Sequence, residues 1–212
     1  MQRKFTRLMV AGASAAALIG AQAALANANE PSAVRPATHS QHAMHMSQAS
    51  HMSQARKDGG GHADQIARAR AATRQFHNIA NAEQAGYGLL PDQAGITCIA
   101  DDAMGTGAMG VHWANGDLVG KPSLHVRHPE ALVYRPTADG TLQLAALEYV
   151  VIKADWEQHH SGVPQLYGQR FNFTDDGNRF GLPAFYSLHV WLWYPNPAGM
   201  FQMFNPNVHC PV

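Results

Sequence analysis

From Asp64 to Ala85 the residues Ile66, Ala69, Thr73, Phe76, Ile79 and Ala80 recur at intervals of mostly three and four, which draws one apolar stripe along a helix. Asp64 suits the N-cap of that helix, Gly86 suits its stop, and Arg68, Arg70 and Arg74 fall on the opposite, solvated face. Beyond Gly86 the pattern changes to short apolar runs bounded by turn residues. Gly110–Ala114 reads as a strand ending at Asn115-Gly116, and Ala131–Arg135 as a second. Thr137-Ala138-Asp139-Gly140 then predicts a hairpin turn into Leu142–Ile152, the longest strand. Trp156–His160 reads as a short helical turn, and Ser187–Tyr194 as a last apolar strand stopped by Pro195 and Pro197. Strands apolar on both faces beside a single clear helix predict an α+β domain: a mainly antiparallel sheet with one long N-terminal helix packed on it, rich in loops.

The chain before this domain has a different character. Arg3, Lys4 and Arg7 precede a stretch, Leu8–Leu25, that is uncharged and apolar or small with a few polar breaks, and Ala24-Leu25-Ala26 offers a small-x-small cleavage site. Residues 1–26 are therefore expected to be a cleavable secretory signal rather than a membrane anchor, because the run is too broken and too rich in alanine to span a bilayer. Residues 27–62 hold one large aliphatic side chain, Val34, and end in Lys57-Asp58-Gly59-Gly60-Gly61, so they are expected to form a disordered arm. Residues 63–212 remain as a single globular domain, long enough to bury a core. Without the signal the chain carries 12 basic against 15 acidic residues, a net charge of about −3, which speaks against a nucleic-acid partner. The two cysteines, Cys98 and Cys210, form an even pair in an exported chain and are expected to be bridged. Two free thiols, or a thiolate metal site, are the alternatives.

Three polar residues interrupt runs that should be buried. His112 lies between Val111 and Trp113, Glu148 within Leu147–Ile152, and His189 within Leu188–Trp193. A carboxylate in such a strand is costly to bury unless it is paired, hydrogen-bonded or metal-bound. Two imidazoles and one carboxylate are also a ligand set for zinc, copper, iron or a similar divalent ion, with positions left for water. Against this stand an ion pair of Glu148 with Arg127 or Arg135, and imidazoles that merely bond backbone carbonyls. His125 with His128, and His159 with His160, are further candidate ligands. Trp191 and Trp193 fall on the same strand face as His189 and are expected either to line an aromatic pocket or to pack in the core. No HExxH, nucleophile elbow, P-loop or dinucleotide fingerprint occurs, and the glycines of Gly105–Gly110 read as a tight bend.

The arm carries chemistry of its own. His39, His42, His45, His51 and His62 supply imidazole, while Met44, Met46 and Met52 supply thioether. Imidazole suits Cu(II) or Zn(II) and thioether suits Cu(I), so a flexible tract mixing both is suited to capturing copper. A polar spacer is the alternative.

Several segments carry a resemblance: Ala72–His77, Gly107–Trp113, Pro129–Tyr134, Leu147–Val151, Leu188–Trp191 and Asn205-Pro206-Asn207, in that order. Over about residues 65–212 the chain resembles a family of uncharacterised exported bacterial proteins. It is more weakly similar to the plant oil-body-associated proteins, whose Trp-His-x-His is only partly matched by Trp156 and His159-His160. The resemblance implies one shared domain type and no reaction.

The sequence thus points to a periplasmic or secreted protein that holds a divalent metal through His112, Glu148 and His189. A metal-dependent enzyme of unknown substrate and a non-catalytic small-molecule module with an aromatic pocket remain open beside it.

Overall fold

A computed structural model describes residues 61–101 and 104–211. The expected signal (1–26) and the arm ligands from His39 to Met52 lie outside the described residues. Among the described residues no helix is long and apolar enough to cross a membrane.

The expected single helix is in fact three pieces: α1 (His62–Thr73), a 3-10 turn (Arg74–His77) and α2 (Ile79–Gln84). The cause is local. The Thr73 hydroxyl donates to the Ala69 carbonyl at 2.8 Å, a back-bond that weakens the turn above it. Asn78 then takes an extended backbone, and its side chain accepts from the Ala80 amide at 3.0 Å, capping a new helix. Carbonyls released by the break find side-chain donors, Phe76 from the Tyr134 hydroxyl at 2.7 Å and Gln75 from the Asn81 amide at 3.0 Å. The break also moves the apolar stripe, so Ala82 is buried where Ala80 was expected to be. The N-cap is Gly61 and not Asp64, which sits in the first turn and complements the helix dipole.

The antiparallel sheet is as expected. Its strands are β1 (Gly88–Leu89), β2 (Cys98–Ala100), β3 (Ala108–Ala114), β4 (Ala131–Pro136) and β5 (Leu142–Ile152), with β8 (Asn172–Thr174) and β9 (Phe185–Val190) completing it. The order is β1-β3-β4-β5-β9-β8, with β2 also paired to β3. A short helix, α3 (Gly116–Val119), follows β3, α4 (Lys153–His159) follows β5, and a separate hairpin joins β6 (Gln165–Leu166) to β7 (Gln169–Arg170). Thr137–Gly140 makes the β4–β5 turn, as its residues predict, with Gly140 at φ 81°.

The two faces of the sheet are unlike. One packs Leu132, Tyr134, Leu147, Tyr149, Leu188 and Val190 under the helices against Ala69, Phe76 and Ala82. Alternation puts His112, Ala131, Val133, Ala146, Glu148 and His189 on the other, and a smaller cluster of Ala108, Val133, Ala145, Ala146, Trp191 and Val208 closes part of it. The register slips between Val133 and Tyr134, so Ala145 is a bulged extra residue. That bulge explains why Leu142–Ile152 reads as apolar on both faces: Leu144 and Leu147 share a side although they differ in parity.

Cys98 and Cys210 are bridged, with Cα atoms 5.6 Å apart. The bond ties β2 to the C-terminal segment. Gly107, at φ 96°, lets that segment approach closely, since a Cβ there would meet the Asn205 carbonyl at 2.1 Å.

Candidate metal centre

The site forms where three strands put their interruptions on one face. Register sets Glu148 of β5 directly opposite His189 of β9 and also opposite Ala131 of β4, while His112 of β3 lies opposite Val133. His112 and Glu148 are thus separated by a whole strand. They meet because β4 offers only the methyl group of Ala131 between them, and two long side chains can lean over it.

The contacts are close. His112 Nε2 lies 3.5 Å from Glu148 Oε2 and 3.3 Å from His189 Nε2, and His189 Nδ1 lies 3.4 Å from Glu148 Oε1. One ligand atom from each residue lies within 4.8 Å of the others. Among the described residues this is the group of that kind. Both imidazoles are 1% exposed, whereas the Glu148 side chain keeps 12% of its surface open. Glu148 is thus the most exposed of the three. The Nδ1 of His112 is buried without a hydrogen-bond partner, an arrangement that costs about 1–3 kcal/mol when nothing compensates it, while the buried Nδ1 of His189 has only the Glu148 carboxylate at 3.4 Å.

Burial dominates the titration of all three. It holds His112 down to about 4, against the opposing pull of the Glu148 charge, and holds His189 down to about 4. It raises Glu148, opposed by His112 and by Ser187, which lies on the same face two residues before His189. At neutral pH both imidazoles are neutral, with a lone pair available to a metal.

The ion-pair alternative does not hold. Arg135 bonds Gln143 and lies over the Tyr194 ring at 4.3 Å, and Arg127 is exposed. Of the two tryptophans, Trp191 packs on the site's face of the sheet and Trp193 on the opposite one. The last strand ends at Val190 rather than Tyr194, because Trp191 donates to the Met200 carbonyl and Trp193 to the Ala145 carbonyl at the bulge. Trp191 joins the smaller cluster, while Trp193 packs with the helix-side core beside His77 and Arg70. The other histidines stay apart. His125 and His128 pair with each other at 4.9 Å between ring centres, His159 bonds the Asp155 carbonyl, and His160 stacks on Trp156 and bonds the Pro122 carbonyl at 2.8 Å.

One buried acid escaped the sequence reading. Glu130 is 2% exposed, and its carboxyl accepts from the Val150 amide at 3.1 Å, standing in for the ladder acceptor that β4 lacks before Ala131. A charged residue directly ahead of Ala-Leu-Val-Tyr was the available signal. Burial pushes Glu130 up to about 8, with Glu148 adding to the rise. A folded-state value above the unfolded one means that its stabilising effect is complete below about pH 4.5 and is lost as pH rises through about 8. In chemical denaturation between pH 6.5 and 8.5, Glu130→Gln should gain stability relative to the parent as pH rises. A constant difference across that range would mean that Glu130 is not the titrating group.

Comparison with protein-family models finds no match, and comparisons with curated proteins and with solved structures find none either. The class of the protein is therefore defined by its own geometry: an α+β domain with a disulfide and a buried His/Glu/His group positioned to hold a metal.

Proposed function

We propose that this is an exported, periplasmic or secreted metal-binding protein whose domain holds one zinc-class ion on His112, Glu148 and His189, with the arm recruiting copper or zinc from outside. The observation that carries the reading is the spacing of the ligand atoms. Two ligands on a tetrahedral ion with bonds near 2.0–2.1 Å stand about 3.3–3.4 Å apart. Ligands side by side on an octahedral ion with the same bonds stand about 2.9–3.0 Å apart. Two of the three separations, 3.3 Å from His112 Nε2 to His189 Nε2 and 3.5 Å to Glu148 Oε2, lie near the tetrahedral value and are long for hydrogen bonds, and all three ligand atoms lie within 4.8 Å of one another. Three protein ligands leave a fourth position for water or another small ligand. His112, Glu148 and His189 would hold the ion; bound there, it would supply Lewis acidity to whatever occupies that position.

The test is elemental analysis of protein purified from the periplasm without a polyhistidine tag, in full-length form and with residues 37–62 deleted. About one tightly held ion per chain is expected in both forms, zinc foremost. The full-length form alone should take up further copper at weaker sites. Absence of a stoichiometric ion from both forms, after incubation with zinc, would remove the metal reading.

A further inference from the structure

Asp175–Ala184 leaves the sheet at one edge, after β8, and meets the segment after β1 at the other edge. It does so on the metal-site face, because the Phe180 ring lies 6.1 Å from the His112 ring and edge-on to it at 61°. The meeting point is firmly tied. Arg179 Nε and Nη2 both donate to Asp92 Oδ2, at 3.1 and 2.8 Å, and the Arg179 carbonyl accepts from the Gln93 amide at 2.9 Å. The Asn178 carbonyl accepts from the Gln93 side chain at 3.0 Å. Within the segment, the Asn178 side chain accepts from the Phe180 amide at 3.2 Å and donates to the Leu182 carbonyl at 2.8 Å. Gly181, at φ 69°, leaves room for the Gln93 side chain. The segment after β1 is in turn fastened to the site strand, since the Leu90 amide donates to the His112 carbonyl at 2.9 Å.

We propose that Asp175–Ala184 is a fixed strap over the metal centre, and that Phe180 limits the open coordination position to small ligands by walling off the space beside His112. The inference rests on the metal reading above. The Phe180 ring stands against the His112 ring, on a segment that Arg179 and Asn178 hold in place. A rigid aromatic wall discriminates by size, since a ligand that overlaps it must displace a strap fixed at several points.

The experiment replaces the ion by cobalt(II), whose visible spectrum reports ligands at the open position. The parent and two variants, Phe180→Ala and Asp92→Asn, are titrated with imidazole and with 4-phenylimidazole. Phe180 is half-buried, and the Asp92→Asn change keeps a side-chain oxygen to accept from the Ala94 and Ile96 amides, so both variants should fold. The parent should bind imidazole at least about tenfold more tightly than the phenyl derivative, and both variants should narrow that ratio. An equal preference in the parent, a ratio unmoved by Phe180→Ala, or cobalt that binds without responding to either ligand would overturn the strap. Failure of cobalt to bind at all would instead bring down the metal reading beneath it.

Discussion

Glu148→Gln is expected to strip the protein of its ion while leaving the metal-free fold at least as stable as the parent. Gln keeps the size and the hydrogen-bonding capacity of Glu but removes the charge. Metal affinity should fall by more than about a hundredfold, beyond the range seen when only a supporting residue is lost. The metal-free proteins should behave in the opposite sense. There the parent must bury a carboxyl group, charged or protonated, beside two neutral imidazoles, and the amide relieves that cost. In the presence of excess zinc the order reverses, because binding at a hundred times Kd stabilises the parent by about 2.7 kcal/mol and the variant by little. His112→Ala and His189→Ala should lose metal in the same way, and each combined with Glu148→Gln should lose little more, since the members of one site act together. Thermal melts with and without zinc, beside metal analysis, make the check. A parent that melts at the same temperature with and without zinc, and a Glu148→Gln variant that melts lower in both, would make the three residues a structural polar cluster only.

Opening the Cys98–Cys210 bridge is expected to be the most destabilising single covalent change. The bond spans 112 residues, and a closed loop of that size removes about 4–5 kcal/mol of chain entropy from the unfolded state. For a domain of roughly this length that corresponds to a melting temperature lower by about 15 °C. Melts of the oxidised and reduced protein, or of a Cys98→Ser, Cys210→Ser pair, measure it, and labelling of denatured, unreduced protein should find no free thiol. The loss should also reach the metal centre, because Cys98 pairs in register with Val111, the neighbour of His112. Equal melting temperatures for the oxidised and reduced forms would mean that β2 and the C-terminal segment are held by their other contacts alone.

Much of the domain was legible from local pattern. The turn at Thr137–Gly140, the full length of Leu142–Ile152 and the antiparallel sheet follow from alternation and turn chemistry, which act over a few residues. The bridge between Cys98 and Cys210 follows from an even count in a chain whose first residues read as an export signal. His112, Glu148 and His189 were visible as polar residues in apolar strands, because burial penalises such groups wherever they fall.

Their meeting was a tertiary matter. It depends on β3, β4, β5 and β9 lying in that order, on the register that sets Glu148 against His189, and on Ala131 being small where two side chains must cross a strand. Pairing partners distant in the chain are chosen by the whole sheet, so no local window contains them. The bulge at Ala145 has the same origin, and the first helix, broken by local bonds at Thr73 and Asn78, has its freed carbonyl satisfied from afar. Tyr134 takes the Phe76 carbonyl from 58 residues away, and Trp193 and Tyr194 take the Ala145 carbonyl from another segment. By itself the sequence determined which residues needed partners; the tertiary structure decided which partners they met, because those contacts are made across chain distances over which local propensity has no influence.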